Sequence, residues 1–346
     1  MSPFREQRTG EHLSAGPRLR REASRQEEQR KNKNISPGLL FFVFCLLFSA
    51  VGCSFRPYHK EVRLIMGTIV EITCQDHTAI ASAFKEIEKI DKIANNFNPD
   101  SEISKLNAGG QIQAGPDLFN MVRESLKYYV LSRGAFDITV GPVVKIWKEK
   151  IREAESKSRG LTLPAGSQIK KALSLVGSDK IILDDDASSI SFTQFGMSID
   201  LGAIAKGYAV DQAVKRLKEL GVQSALVNAG GNVYCLGKKG SRKWHIGIRH
   251  PRKPDEIVFY LDLENQAVAT SGDYEQFFIL DKKRYSHIID PKTGYPVDNK
   301  IASVTIIAQD ATASDGLSTA VFVLGREKGL ELADKIDGVE VKIVEN

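Results

Sequence analysis

The chain has 346 residues, 42% hydrophobic and 26% charged, with 28 glycines and 12 prolines, a balance that excludes a fibrous or wholly disordered protein. Residues 1–34 carry nine Lys and Arg against five Glu, so four of the five net positive charges sit in that tail. The remainder is close to neutral, which argues against nucleic acid as a partner.

Residues 1–36 have almost no apolar side chains to bury and read as a disordered, charged extension. An apolar run then begins at Leu39, short for a bilayer span but suited to the hydrophobic region of a signal peptide, here residues 37–52. The tetrad Ala50-Val51-Gly52-Cys53 resembles a bacterial lipobox, in which small residues precede a cysteine that is lipidated and becomes the new N-terminus. Ala50 departs from the more usual leucine, and a plain signal anchor is the competing reading. Cleavage before Cys53 leaves 294 residues, with 53–60 as a tether and 61–346 as one folded domain held by lipid on the extracytoplasmic side of the cell membrane. The long charged leader leaves two possibilities open: translation starts downstream of Met1, or the tail is a cytoplasmic extension. With Cys45 and Cys53 in the leader, only Cys74 and Cys235 remain; each lies in an apolar strand-like run, which predicts two unpaired, buried thiols.

Along the domain, "EVRLIMGTIVEITC" predicts two strand segments around a bend or bulge at Gly67. Ile80, Phe84, Ile87, Ile90 and Ile93 recur at steps of three and four, the apolar stripe of a helix. "NPDSEISKLNAGG" reads as a polar loop, and the next helix opens at Pro116-Asp117 and stops at Gly134. A charged helical segment follows "AFDITVGPVVKIW", and "IILDDDASSISF" predicts a hairpin. Beyond a helix ending at Gly221 come short strands at "ALVNAGGNVYCLG", "KWHIGIRH", "IVFYLDLE", "AVATSG", "QFFIL" and "ASVTIIA", then a helix over Thr312–Leu324 and a last strand in "GVEVKIV". Helices early and a meander of strands late predict an α+β domain with helices packed on an antiparallel sheet, not alternating βαβ units.

Three stretches carry chemistry. In "SIDLGAIAKGYAVD", Gly202 permits a tight turn and Lys206 falls in the first turn of a helix, where free N–H groups and the dipole favour a phosphate. The spacing is not that of a P-loop, and a glycine-lysine helix start is also an ordinary structural feature. In "SDGLSTAVFVLG", Asp315 and Thr319 are four apart and share a helix face; they offer hard oxygen ligands for Mg²⁺, or else an acid complementing the dipole and a back-bonded threonine. In "RYSHIIDPKTGYP", a polar strand precedes His287 and a turn follows it, which suits either a general base for a hydroxyl or a simply exposed histidine.

The ordered series "MGT", "SEISKLN", "GAFDITVGP…W", "DLGAIAKGYAVD", "NAGGN", "TSGDYE", "HIIDPKTG" and "SDGLSTAVFVLG" strongly resembles the ApbE family of FAD:protein FMN transferases, once described as thiamine-biosynthesis lipoproteins. The likeness runs from about Val62 to the end and implies a T-fold-related, ApbE-like domain. It implies further that FAD is the substrate, that Mg²⁺ assists cleavage of its pyrophosphate, and that FMN passes to a Thr or Ser of an acceptor flavoprotein in a membrane redox complex, at an S/T-G-A-T-like motif, releasing AMP. On this resemblance Met66, Ala135, Phe136, Asp137, Asp200 and Lys206 match FAD contacts. The Ala203 carbonyl, Asp315 and Thr319 match metal ligands, and His287 matches a residue of the flavin site expected to activate the acceptor hydroxyl. Family members often place an S-x-Y or S-x-W pattern before "PDSE"; here "NNFNPDSE" supplies Phe97, which can stack on the flavin but lacks a hydroxyl. Two other readings stand beside the transferase: a Mg²⁺-dependent FAD pyrophosphatase giving FMN and AMP, and a flavin-binding lipoprotein without catalysis.

Overall fold

The computed structural model describes residues 57–157, 162–275, 277–280 and 283–346. The charged extension, the apolar segment 37–52, Cys53 and the tether up to residue 56 lie outside the described residues. Among the described residues, no helix is long and apolar enough to cross a membrane.

The chain opens with β1 (His59–Ile65) and β2 (Thr68–Cys74), paired antiparallel with Ile65 opposite Thr68. The expected bend is a two-residue hairpin turn: Met66 and Gly67 both take positive φ, 55° and 68°, the backbone that matches strand twist. Helix α1 (His77–Ala94) follows, capped by Asp76, whose carboxylate accepts the Thr78 and Ala79 N–H groups. Its Ile80, Phe84, Ile87 and Ile90 are fully buried, while Ile93 is only partly so. Burying each such side chain contributes about 1.5–3 kcal/mol. Exposed ion pairs such as Lys60–Glu71 give at most about 1 kcal/mol, so the apolar stripe decides where α1 docks.

The segment expected to be a polar loop contains α2 (Glu102–Gly109), which the short stripe Ile103/Leu106 anchors in the core. Ser101 Oγ accepts Ser104 N–H at one end and Gly110, at φ 75°, closes the other. Two apolar residues in eight are too few for periodicity to show, although both caps are present in the sequence. Then come β3 (Gln111–Gln113), α3 (Pro116–Leu131) with Pro at its first position, a 3₁₀ turn at Ile138–Val140, and α4 (Gly141–Lys157). Helix α5 (Gly166–Leu173) leads to the expected hairpin, β4 (Ile181–Asp184) and β5 (Ser189–Phe192), with β3 added to its edge.

Helix α6 (Ala205–Glu219) has Lys206 in its first turn, as expected. After it run β6 (Ala225–Ala229), β7 (Asn232–Leu236), β8 (Trp244–Arg249), β9 (Ile257–Leu263), β10 (Gln266–Gly272), β11 (Phe277–Leu280), β12 (Lys283–Ser286) and β13 (Ile301–Ala308). Helix α7 (Ala311–Leu324), α8 (Arg326–Ala333) and β14 (Glu340–Glu345) close the chain. Among the described residues, seven strands form one antiparallel sheet in the order β1-β2-β6-β7-β10-β13-β14, so the helices-on-antiparallel-sheet expectation holds. All eight residues of β13 are buried, because both faces of the sheet centre are covered. Val304, Ile306 and Ala308 join the core under α1, α6 and α7, while Ile307 joins Val233, Cys235 and Val268 against Trp244, Ile248 and Leu263 of the β8–β9 hairpin. Cys74 and Cys235 are free and buried, as expected, and desolvation pushes the Cys235 thiol up to about 12.

One crossing positions the site. Gly207 of α6 meets the start of α7 so closely that a Cβ there would lie 2.2 Å from the Ala311 carbonyl oxygen and 2.8 Å from Asp315 Cβ. One turn on, the Asp211 carboxylate accepts the Ala311 and Thr312 N–H groups, each at 2.8 Å, and the Thr312 hydroxyl at 2.5 Å. It thereby satisfies helix-end donors that would otherwise be buried unpaired.

Two outcomes test this junction. Gly207→Ala should destabilise by about 1–3 kcal/mol through overpacking in a urea titration, although helix propensity alone would favour alanine by about 1 kcal/mol. Desolvation pushes the Asp211 carboxyl up to about 6 from 3.8, against the pull of the Thr312 and Ala311 hydrogen bonds. A raised carboxyl contributes stability that is fully present below pH 3.8 and is lost as pH rises through about 6, a change on the order of 3 kcal/mol. Asp211→Asn should therefore flatten the stability profile between about pH 4 and 6; an unchanged slope would place that titration elsewhere.

Candidate active site

At the α6–α7 crossing the "DLGAIAKGYAVD" and "SDGLSTAVFVLG" motifs meet. A regular helix start would direct Gly207 N–H to the Ala203 carbonyl four residues back. Gly207 N–H instead donates to Asp315 Oδ2 at 3.0 Å, and no hydrogen bond among the described residues reaches the Ala203 carbonyl. Asp315 is 5% exposed, and its Oδ1 likewise accepts no hydrogen bond among the described residues. Lys206 Nζ donates to the Gly202 carbonyl at 2.9 Å and lies 4.0 Å from Asp315 Oδ2. Thr319, one turn beyond Asp315 on α7, has its hydroxyl 3.3 Å from Ser271 Oγ, which is also 2.8 Å from Ser318 Oγ. The "TSGDYE" segment is thus fastened to the helix that carries Asp315 and Thr319.

Asp200 is held from several sides. Its N–H donates to the Ile138 carbonyl at 2.7 Å, and its Oδ1 accepts Gly202 N–H at 2.9 Å. Asn107, from the "SEISKLN" helix α2, brackets the preceding residue by accepting Ile199 N–H at 2.7 Å and donating to the Ile199 carbonyl at 2.9 Å. Lys148 of α4 places its ammonium 3.4 Å from Asp200 Oδ2 and 5.5 Å from the centre of the Phe97 ring. Phe97 is 73% exposed, so an aromatic face stands beside the Asp200–Lys148 pair with room for a planar ligand.

The "AFD" residues have a different situation. Ala135 and Phe136 are buried, and the Phe136 ring packs edge-on to Tyr128 at 5.9 Å, inside the core. The Asp137 carboxylate caps the 3₁₀ turn through Thr139 N–H at 2.8 Å and ties in Ser178 through its hydroxyl at 2.6 Å. In this arrangement the segment holds the Ile138 carbonyl against Asp200. Met66, at the β1–β2 turn, packs partly into the main core, and the "NAGGN" turn sits against the same hairpin: Gly230 N–H donates to the Ile69 carbonyl, and a Cβ on Gly230 would lie 2.4 Å from Thr68 Oγ1.

His287 is exposed at the exit of β12. Its neighbour Ser286 is buried and lines a cleft of about 330 Å³ with Arg252, Asp273, Arg284 and Asn299. Asp273 of "TSGDYE" pairs with both Arg252 nitrogens at 2.7 Å and lies 4.0 Å from Arg284 of β12, which links the histidine-bearing strand to the segment that touches Thr319. On the other side, Trp147 Nε1 donates to the Gly294 carbonyl at 2.9 Å and its ring stacks on Phe278, fixing the "DPKTG" turn after His287.

The donor set at the crossing fits a hard divalent cation: one carboxylate oxygen, one main-chain carbonyl and one hydroxyl, the first two without a hydrogen bond among the described residues. No group of three or more His, Cys, Asp or Glu suited to a metal occurs among the described residues. Sequence reasoning missed Lys148, Asn107, Ser271 and Asp211 as site-forming residues. Asp211 was within reach of a periodicity argument, because Gly207 and Asp211, four apart, interrupt the buried face of α6 made by Tyr208, Val210, Val214 and Leu217. Lys148 and Ser271 carry no such signal, since their partners come from remote elements.

Residues 66–343 match the ApbE family profile. The FAD:protein FMN transferase of Haemophilus influenzae is 34% identical over 309 residues, spanning 83% of this chain and 88% of that protein. Among solved structures, the ApbE protein of Thermotoga maritima superposes with a TM-score of 0.76 at 32% identity, covering 84% of this chain and 94% of that one. The flavin transferase ApbE of Vibrio cholerae superposes with a TM-score of 0.73 at 27% identity, with the same coverage. With the family profile matched over residues 66–343 and this span of similarity, the chain belongs to the ApbE family.

Proposed function

We propose that this chain is an FAD:protein FMN transferase that moves FMN from FAD to a threonine or serine hydroxyl of an acceptor protein and releases AMP. The observation that carries the proposal is the helix crossing at which Asp315 takes the Gly207 N–H and lies 4.0 Å from Lys206 Nζ, in a chain whose relatives carry that name. In the reaction the acceptor oxygen forms a bond to the FMN phosphorus, the pyrophosphate P–O bond breaks, and AMP departs with the bridging oxygen. Lys206 binds the phosphate oxygens on which charge collects. Phe97, with Lys148 behind it, offers a stacking face to an aromatic ring of FAD, and Asp200 is held rigid beside it. His287 takes the proton of the acceptor hydroxyl, which makes the oxygen a competent nucleophile. The Ala203 carbonyl, Asp315 and Thr319 would hold Mg²⁺, whose charge, when bound, neutralises the pyrophosphate. The lipobox at Cys53 supports a lipid-anchored enzyme on the extracytoplasmic side of the membrane, acting on a membrane redox complex with an S/T-G-A-T-like acceptor segment.

The direct assay incubates the protein with FAD, Mg²⁺ and an acceptor bearing S/T-G-A-T, and reads covalent flavin fluorescence on a denaturing gel. A labelled acceptor is expected; free FMN and AMP with an unlabelled acceptor would make the chain a pyrophosphatase, and unchanged FAD would leave a flavin binder. His287→Ala should lower labelling by about 10²–10⁴-fold while FAD still binds. Asp315→Asn should abolish the response to added Mg²⁺. Lys148→Met should raise the KM for FAD about two- to fivefold with kcat little changed, the scale of an exposed cation–π contact.

A further inference from the structure

The β7–β8 connection reads "GKKGSRKW": four of the six residues from Lys238 to Lys243 are basic and none is acidic. It is a tight, ordered hairpin, with Lys239 and Arg242 exchanging main-chain hydrogen bonds of 2.8 and 3.3 Å around Gly240 and Ser241. All six residues are exposed. Among the described residues only Lys238 of the hairpin has an acidic partner close by, Glu264 at 3.6 Å, and Arg242 and Lys243 are exposed. On the adjoining strand His245 stacks at 4.5 Å on Tyr260, an aromatic ring that is 59% exposed, but His245 pairs with Asp262 at 2.8 Å and Arg249 with Glu275 at 3.3 Å, so the unpaired positive charge is confined to the hairpin.

The domain's first residues are bolted to this same hairpin. The Tyr58 hydroxyl is 2.7 Å from Ser224 Oγ, donates to the Lys238 carbonyl at 3.4 Å and accepts Gly240 N–H at 3.3 Å. The Tyr58 ring meets Trp244 edge-on at 5.7 Å, and Lys239 Nζ lies over both rings. Cys53 stands five residues before Tyr58. Five residues span at most about 18 Å, so an anchor at Cys53 holds this corner of the domain near the bilayer. Exposed cations there meet the negative potential of anionic headgroups over roughly 8 Å at physiological salt.

We infer that the Lys238–Lys243 hairpin is a docking surface for an anionic phospholipid membrane. The tether supplies proximity and the hairpin supplies orientation, so that the domain meets the bilayer by one face. The inference rests on the lipid-anchor reading given above for proximity; the charge pattern stands independently of it.

The test uses the full chain with Cys53→Ser, so that no acyl chain contributes, cosedimented with vesicles of about one-third phosphatidylglycerol in phosphatidylcholine and with pure phosphatidylcholine, at about 0.15 M salt. Lys239→Gln, Arg242→Gln and Lys243→Gln together should lower partition onto the phosphatidylglycerol vesicles on the order of 100-fold, about fivefold per charge, and leave phosphatidylcholine binding unchanged. Arg242→Gln with Lys243→Gln, which spares the lysine over Tyr58 and Trp244, should lose about 25-fold. Raising salt to about 1 M should remove the same increment from the chain with the hairpin intact, a readout that needs no change to the domain. Undiminished binding of the triple variant to phosphatidylglycerol overturns the inference. So does a triple variant that still binds vesicles but no longer flavinylates a soluble acceptor, which would assign the hairpin to the acceptor. The mass of Cys53 in membrane-extracted chain reads the anchor separately: an unacylated cysteine with intact phosphatidylglycerol binding would overturn the tether and leave the docking surface standing.

Discussion

Where α6 passes α7, Gly207 leaves no room for a side chain, and its N–H is taken by a buried carboxylate instead of by its own helix. The rest of the site depends on that contact. Because Gly207 N–H goes to Asp315, the Ala203 carbonyl receives no hydrogen bond among the described residues, and because the helices touch, Lys206 and Asp315 come within 4.0 Å. Asp211 secures the arrangement by capping α7 from α6 with three hydrogen bonds. Any change that separates the helices dissolves the donor set and unpairs buried N–H groups together, each costing about 1–3 kcal/mol.

Around this crossing the sheet acts as a frame that delivers segments distant in sequence. The end of strand β10 carries Ser271 to Thr319, and Asp273 just beyond it lies 4.0 Å from Arg284, so one strand end reaches both α7 and the strand that leads to His287. Helix α4 works from the other side: Lys148 reaches Asp200 and Phe97, while its neighbour Trp147 pins the turn after His287. The site is therefore assembled from rigid element ends, which suits in-line transfer between a phosphate and a hydroxyl that arrives on another protein.

The opposite end of the logic is the chain's entry into the domain. Tyr58, the Lys238–Lys243 hairpin and Trp244 form one packed unit, and the β8–β9 hairpin that continues it covers the sheet face away from the helices. The α6–α7 crossing thus sits on the helical side of the sheet centre, whereas the basic corner grows from the hairpin layer.

The sequence by itself determined the apolar stripe of α1, the late strands, the free buried cysteines and the family, because each depends on local period, composition or an ordered motif string. It also singled out Lys206, Asp315, Thr319 and His287, whose residue types announce chemistry. It misjudged α2, where Ile103 and Leu106 are too few to show a period, and could not show that Phe136 faces the core or that Asp137 serves Thr139 and Ser178. Only the tertiary structure decided where the Gly207 N–H goes, since it donates to Asp315 and not to Ala203 through a contact made 108 residues away along the chain. Spacing in sequence encodes the faces of single helices and strands; the partner across a crossing is set by packing, which no local pattern carries.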